Sequence, residues 1–230
     1  MQLNINQSPW EMSPGTTERF RTIGGRMLAG GAIAYFLHVV MRSMLTAGVD
    51  PVDSAQSTLW VPVNALGAVG ATLVLLSLPA MYRRLAGRDS ARGLLGFGLL
   101  ATSWTFFGVF LSLYGTIVMP WLANQAPALL AGSAPTPTAF TVAFAIGLLA
   151  WLAGALLLAI PFLNGESRPR WIGFMLPGSA LWFLVGSFLI APAGPASSLA
   201  LNLISNLGPV LLLAALGWLG CRRWIDIRSG

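Results

Sequence analysis

The placement of charge constrains this chain more than any other feature. All twenty formal charges, thirteen arginines and seven carboxylates, lie outside six long apolar stretches or near their ends. The stretches run roughly over 26–47, 58–82, 93–118, 139–163, 171–191 and 197–220. Each is near the ~20 residues that carry a helix across ~30 Å of hydrocarbon. The arginines alternate sides. Arg19, Arg21 and Arg26 precede the first stretch; Arg83, Arg84, Arg88 and Arg92 follow the second; Arg168 and Arg170 follow the fourth; Arg222, Arg223 and Arg228 follow the sixth. The other connections carry Asp50 and Asp53 or no charge. Because cytoplasmic loops keep their basic residues, the pattern predicts an all-α polytopic membrane protein of six transmembrane helices, with both termini in the cytoplasm.

Composition supports the same reading. Of the residues, 56% are hydrophobic and 9% charged, against about a quarter charged in a soluble globule. The expected division is a cytoplasmic arm over 1–25, one membrane domain over 26–220 and a cytoplasmic tail over 221–230, with no room for a soluble catalytic or nucleotide-binding domain. The net charge of +6 would suggest nucleic acid in a soluble protein. Here it is spread over four cytoplasmic segments, so the expected partners are the bilayer, its anionic headgroups on the cytoplasmic side and other membrane subunits, and no nucleic acid. Residues 1–26 lack the short apolar region and cleavage site of a signal peptide. Ser13 and Pro14 resemble an N-cap and first helical position, so the arm is expected to enter span one through a short interfacial helix. The stretch 119–138 is the one long connection. Trp121, Leu122, Gln125, Ala126, Leu129 and Leu130 recur there at helical spacing, which fits a small helix on the outer interface or an exposed irregular segment.

Two patterns concern packing. Small residues recur four apart, as in Gly25 and Ala29, Gly30 and Ala34, and Gly67 and Ala71, a spacing that lets helix backbones approach in lipid. A Trp-x-x-x-Gly-x-Phe-Leu run occurs at Trp104–Leu111 and again at Trp182–Leu189. Each follows a span with Gly-Ala and then Pro: Gly70, Ala71 and Pro79, then Gly154, Ala155 and Pro161. Hairpins 2–3 and 4–5 are therefore candidates for a duplication.

The residues that could carry chemistry are few. His38 and Arg42, four apart on one face of span one, lie roughly 14 Å and 8 Å below the outer edge at 1.5 Å per residue. Asn64 in span two, and Asn202, Ser205 and Asn206 on one face of span six, reach similar depth. Pro209 cannot donate to the Ser205 carbonyl, which predicts a bend in span six. One reading gathers His38, Arg42, Asn64, Asn202 and Asn206 into an outward-opening ligand pocket between neighbouring spans one and six, with Arg42 as an anion anchor and His38 at its floor. The other has Arg42 snorkelling toward Asp50 or Asp53 and the amides bonding neighbouring helices at about 0.6 kcal/mol each.

Absences narrow the function. There is no lysine for a Schiff base and no Asp or Glu within a span for a carboxylate relay. A single histidine and a single cysteine offer no metal-ligand set, no bis-histidine haem site and no disulfide. No nucleophile motif or phosphate loop is present, so an enzyme is not expected. Ala34 and His38 resemble the Ala-x-x-x-His spacing of the pigment-binding helix in bacterial antenna proteins, which would place bacteriochlorophyll or haem at His38; otherwise no cofactor is expected. The stretch LWVPVNALGAVGATLVLLSLPAMYRRLAGRDSARGLLGFGLL, residues 59–100, resembles uncharacterised six-span bacterial membrane proteins known only as domains of unknown function. That resemblance implies a six-helix bundle of the bacterial inner membrane and brings no function; some of those proteins carry histidine where this chain has Asn64. The expected role is a structural or accessory subunit or a binder of a lipid-like ligand. A secondary transporter or channel is the alternative and a pigment-binding subunit the third.

Overall fold

The computed structural model describes residues 14–85, 91–130, 137–164, 170–186 and 198–228, and the described chain is helical without strands. Helix α1, Pro14–Thr46, is a single rod of 33 residues. The arm is thus not a separate interfacial helix in its described part: from Pro14 it continues straight into the first apolar stretch. Gly48, with φ 68°, turns the chain after α1 in the left-handed conformation that glycine adopts without a steric penalty. Asp50 then caps α2 (Pro51–Gln56) by accepting the Val52 amide proton at 2.8 Å. Helix α3 is Trp60–Leu85.

The next rod runs from Ala91 to Gln125, and its winding changes along its length. It comprises α4 (Ala91–Trp104), a π-helical segment Thr105–Phe110, α5 (Leu111–Leu113), a second π-helical segment Tyr114–Val118, and α6 (Met119–Gln125). Helix α7, Pro127–Leu130, follows. Residues 119–125 and 127–130 are therefore helical, with a break at Ala126 (φ -148°, ψ 60°), whereas Ser133 and Pro135 lie outside the described residues. Helix α8 is Thr138–Leu163 and α9 is Trp171–Val185. Helix α10 (Leu199–Ser205) and α11 (Leu207–Arg228) meet at a 54° bend, at the place where Pro209 removes a backbone donor. Among the described residues four helices are long and apolar enough to cross a bilayer, or five when α10 and α11 count as one broken span; α9 is shorter, at 15 residues.

The six rods close into a ring in chain order. Helix α1 packs on α3, α3 on the first π-helical segment, α4 on α8, α8 on α9, and α9 on α11, which returns to α1. First and last helices are neighbours, as their polar faces predict. Outward faces are apolar, for example Val69 and Leu76 on α3, Leu94 and Leu95 on α4, and Ile146 and Leu149 on α8, a surface matched to hydrocarbon.

The same backbone contact recurs three times around the ring. A β-carbon on Gly70 would fall 2.6 Å from the Tyr35 nitrogen and 2.9 Å from the Gly31 oxygen. One on Gly154 would fall 2.8 Å from the Leu100 nitrogen and 2.9 Å from the Gly96 oxygen. One on Gly208 would fall 2.6 Å from both the Phe183 nitrogen and the Ser179 oxygen. Each pair of contacted residues is four apart, one turn of the opposing helix. The repeated contact is therefore the pairing of rods 1–2, 3–4 and 5–6, rather than of the 2–3 and 4–5 hairpins suggested by the tryptophan runs. The tryptophans confirm this: Trp104 Nε1 donates to the Ala71 carbonyl at 2.9 Å, while Trp182 Nε1 donates forward to the Ile204 carbonyl at 2.7 Å. They occupy different places in the ring.

Gly70→Val should accordingly force α1 and α3 apart, costing about 1–3 kcal/mol. Gly98→Ala, whose β-carbon would meet nothing within 4 Å, should change stability by less than about 0.5 kcal/mol. Thermal unfolding of the detergent-solubilised protein compares the two, and equal effects would contradict the crossing.

A candidate ligand cavity behind a broken helix

Between α1, the first π-helical segment, α8, α9 and the α10–α11 break lies a cavity of about 320 Å³, near the lower end of the ~300–1,000 Å³ typical of ligand sites. Its wall is divided by chemistry. Tyr35, Trp104, Phe107, Trp151 and Phe183 form an aromatic floor; Arg42, Ser43, Thr46, Asn202, Ser205 and Asn206 form a polar rim toward the end of the bundle that carries α2 and α6.

In the floor each ring packs on another ring, and the Tyr35, Trp104 and Trp151 donors are all engaged. Phe107 lies 5.0 Å from Phe183, 5.1 Å from Phe144 and 5.8 Å from Trp151 between ring centroids, in the tilted and edge-on arrangements that ring quadrupoles favour. Tyr35 sits 5.0 Å from Trp104 and donates its hydroxyl proton to the Phe107 carbonyl at 3.2 Å. Trp151 Nε1 donates to Ser179 Oγ at 3.2 Å, and Ser179 donates to the Leu176 carbonyl at 2.6 Å. The π-helical turns contribute here: the Phe107 and Gly115 carbonyls, one in each segment, receive protons from Tyr35 Oη and Trp60 Nε1. Such wide turns commonly mark sites where a helix is locally remodelled.

His38 is buried, with Nδ1 2.8 Å from the Val63 carbonyl. A carbonyl only accepts, so Nδ1 carries a proton, and in the neutral ring Nε2 then holds the lone pair. The ring fits because position 67 is glycine: a β-carbon there would fall 2.6–2.8 Å from three His38 ring atoms. Val63 and Gly67, one turn apart on α3, form the seat for the ring. Composition patterns read Gly67 only as a packing residue; its role becomes visible when α3 is placed against α1.

The structure brings His38, Arg42, Asn202 and Asn206 to one cavity and leaves Asn64 out. Asn64 is fully buried elsewhere: Nδ2 donates to the Trp60 carbonyl at 2.9 Å, and Oδ1 abuts Gly115 without a hydrogen-bond partner among the described residues. Depth was a sound guide to its level but not to its direction. One residue along a helix turns the side chain by about 100°. Val63 and Gly67 face His38, so Asn64 points toward the second π-helical segment instead.

Arg42 does not reach Asp50 or Asp53. Among the described residues it pairs with no carboxylate; its guanidinium carbon stands 5.7 Å from the centroid of the Trp60 ring, a cation–π arrangement. On the opposite side of the rim, Asn206 Nδ2 reaches Ser43 Oγ at 3.3 Å and the Asn202 carbonyl at 2.8 Å, and Asn202 Nδ2 reaches Thr46 Oγ1 at 3.4 Å. These long side-chain contacts join α1 to the broken helix. The Ser205 carbonyl, deprived of its helical donor by Pro209, rests against Gly186, where a β-carbon would collide with it. The aromatic floor and Ser43 and Thr46 are the site residues that sequence patterns did not assign to the site, since the floor is assembled from four rods.

No family model, no curated protein and no solved structure matches this chain. The site must be read from its own geometry.

The chain has one histidine, so a sample labelled with ¹⁵N only at histidine reports a single ring. The expected spectrum at neutral pH shows a protonated Nδ1 and an unprotonated Nε2. Gly67→Ala should abolish that single tautomer by moving the ring off the Val63 carbonyl. A proton found on Nε2 in the unsubstituted protein would contradict the seat described here.

Proposed function

We propose that this chain is a six-span protein of the bacterial plasma membrane, with both termini cytoplasmic, that binds a lipid-like amphiphile in the cavity and is not an enzyme. The carrying observation is the division of the cavity wall, aromatic at the floor and polar at the rim. A molecule with an apolar tail and a polar head satisfies both surfaces at once; water alone would leave the floor unwetted, and a wholly polar solute would be desolvated against aromatic rings. The six-span reading rests on the alternation of arginine-rich connections, on the closed ring of six rods, and on the apolar character of α9 and the broken pair. In that orientation the rim opens toward the outer leaflet.

One observation favours the second reading, a carrier. Asn202, Ser205, Asn206 and Pro209 place the discontinuity of the last span directly at the cavity. Discontinuous helices at a binding site are a recurrent device of secondary transporters. A pigment reading draws on His38 Nε2, whose opposite nitrogen is held by a carbonyl in the manner of ligating histidines; the cavity volume suits a smaller occupant than a macrocycle.

Two measurements test the proposal. In intact cells, cysteine introduced at the exposed Gln125 should react with a membrane-impermeant thiol reagent, while native Cys221 should not; the reverse labelling would overturn the orientation. Native mass spectrometry of the purified protein should show a one-to-one adduct with a single-chain amphiphile. Ser205→Phe, which fills the rim, should abolish that adduct, whereas Thr102→Phe on the exposed outer face should leave it. Adducts of equal strength in both variants would place binding on the outer surface and remove the cavity from consideration.

A further inference from the structure

We infer that the cavity selects amphiphiles whose head carries one negative charge of the oxyacid kind, such as a carboxylate, and that Arg42 is the residue that recognises it. The inference rests on the amphiphile reading above and adds the chemical class of the head.

Arginine at the rim is the starting point. Its guanidinium stays charged, presents five N–H donors in a planar fork, and matches a carboxylate or phosphate with two parallel hydrogen bonds. Among the described residues no hydrogen-bond acceptor and no carboxylate takes any of these donors, and the guanidinium stands over the Trp60 face at 5.7 Å. A cation–π contact leaves the edge of the guanidinium, where the protons are, available to a ligand. The nearest acidic candidates are otherwise placed: Asp50 Oδ1 holds the Val52 amide at 2.8 Å, and Asp53 lies exposed on α2.

The neighbouring wall fits the same ligand. It contains no Asp or Glu that would repel an anion. Ser43, adjacent to Arg42 and buried, accepts from Asn206 through Oγ, and among the described residues nothing accepts its own hydroxyl proton. Arg42 and Ser43, both lining the cavity, therefore offer uncommitted donors from successive positions of α1, above a floor of Trp104, Trp151 and Phe183 that suits a hydrocarbon tail.

Charge counting sets the valence. The lining supplies one permanent cation. A monoanion forms a neutral pair with it, while a dianion would leave a full charge uncompensated in a region of low dielectric, where Coulomb energies are several times those in water. A neutral head would leave the guanidinium unpaired. The site thus discriminates on both sides of a single negative charge.

The test uses the full chain in a non-ionic detergent, with laurate, dodecanol and butyrate as probes and native mass spectrometry as the readout. Laurate should bind at least about tenfold more tightly than dodecanol, the scale of one charge-assisted bidentate contact. The preference should vanish in Arg42→Gln, survive in part in Arg42→Lys, and be unaltered in Arg92→Gln, an exposed arginine at the start of α4. Butyrate should bind far more weakly than laurate. Equal binding of laurate and dodecanol in the unsubstituted protein, which needs no variant to fold, would overturn the charge selectivity while leaving the amphiphile reading intact. Retention of the preference in Arg42→Gln would overturn the assignment to Arg42. Butyrate binding as tightly as laurate would overturn the tail requirement, and no binding of laurate or dodecanol would remove the amphiphile reading itself.

Discussion

Close approach of helix backbones at three glycines carries the architecture. In lipid there is no hydrophobic drive between helices, because the tails are as apolar as leucine; association depends on van der Waals contact, interhelical hydrogen bonds and lipid entropy. Gly70, Gly154 and Gly208 each meet a main chain with no side chain intervening, which maximises that contact and sets the spacing between helices. With the crossings in place, bulky residues on the inner faces meet at the centre. The core therefore combines Leu28 and Val74 with Trp104, Trp151 and Leu212 rather than leaving a pore.

Polar groups then fasten what the glycines bring together. Trp60 and Trp104 donate to main-chain carbonyls of other rods, Trp182 to Ile204, and Tyr35 to Phe107. Each bond is worth on the order of 0.6 kcal/mol in a membrane protein, and each ring adds roughly 0.5–1.5 kcal/mol through its aromatic neighbours. The indole donors matter in a second way. An unpaired N–H in hydrocarbon carries a desolvation penalty larger than the bond's net gain, so these tryptophans can be buried only where a carbonyl is presented. The π-helical turns of the third rod supply one such carbonyl, Gly115 to Trp60, and a second, Phe107, to the hydroxyl of Tyr35.

The cavity follows from one departure from this regularity. Helices α1, α3, α4 and α8 pass through their crossings unbroken, whereas the last rod is interrupted at Asn206. Beyond that break α10 leans away, and the space is lined by amides, hydroxyls and one arginine instead of packed side chains. His38 lines the same cavity but is held on α3 by the Val63 carbonyl, so the donors left uncommitted at the rim belong to Arg42 and to the hydroxyl of Ser43. The geometry thus separates a packed aromatic floor from a rim built on a discontinuous helix.

Much of this was legible from residue order. Arginine clusters every second connection and apolar runs of about one membrane thickness specify helices in a bilayer, because an unpaired backbone leaves few other solutions there. The i, i+4 spacing of His38 and Arg42 put them on one face, and Pro209 announced the bend, since each depends only on local geometry. Asn64 marks the boundary of such reasoning. Its depth is a sum of rises along the helix, but its partner depends on which neighbour stands at its azimuth, and that is set by the Gly31–Gly70 crossing. Gly67 is the complementary case: it appears as a small residue in a pattern, and becomes the seat of an imidazole once α1 is docked. The aromatic floor is the furthest from prediction, for Tyr35, Phe107, Trp151 and Phe183 come from four rods and share no spacing. Local chemistry is written in the order of residues, while convergence requires the relative rotation of whole helices, which arises from their mutual packing and from nothing within any one of them.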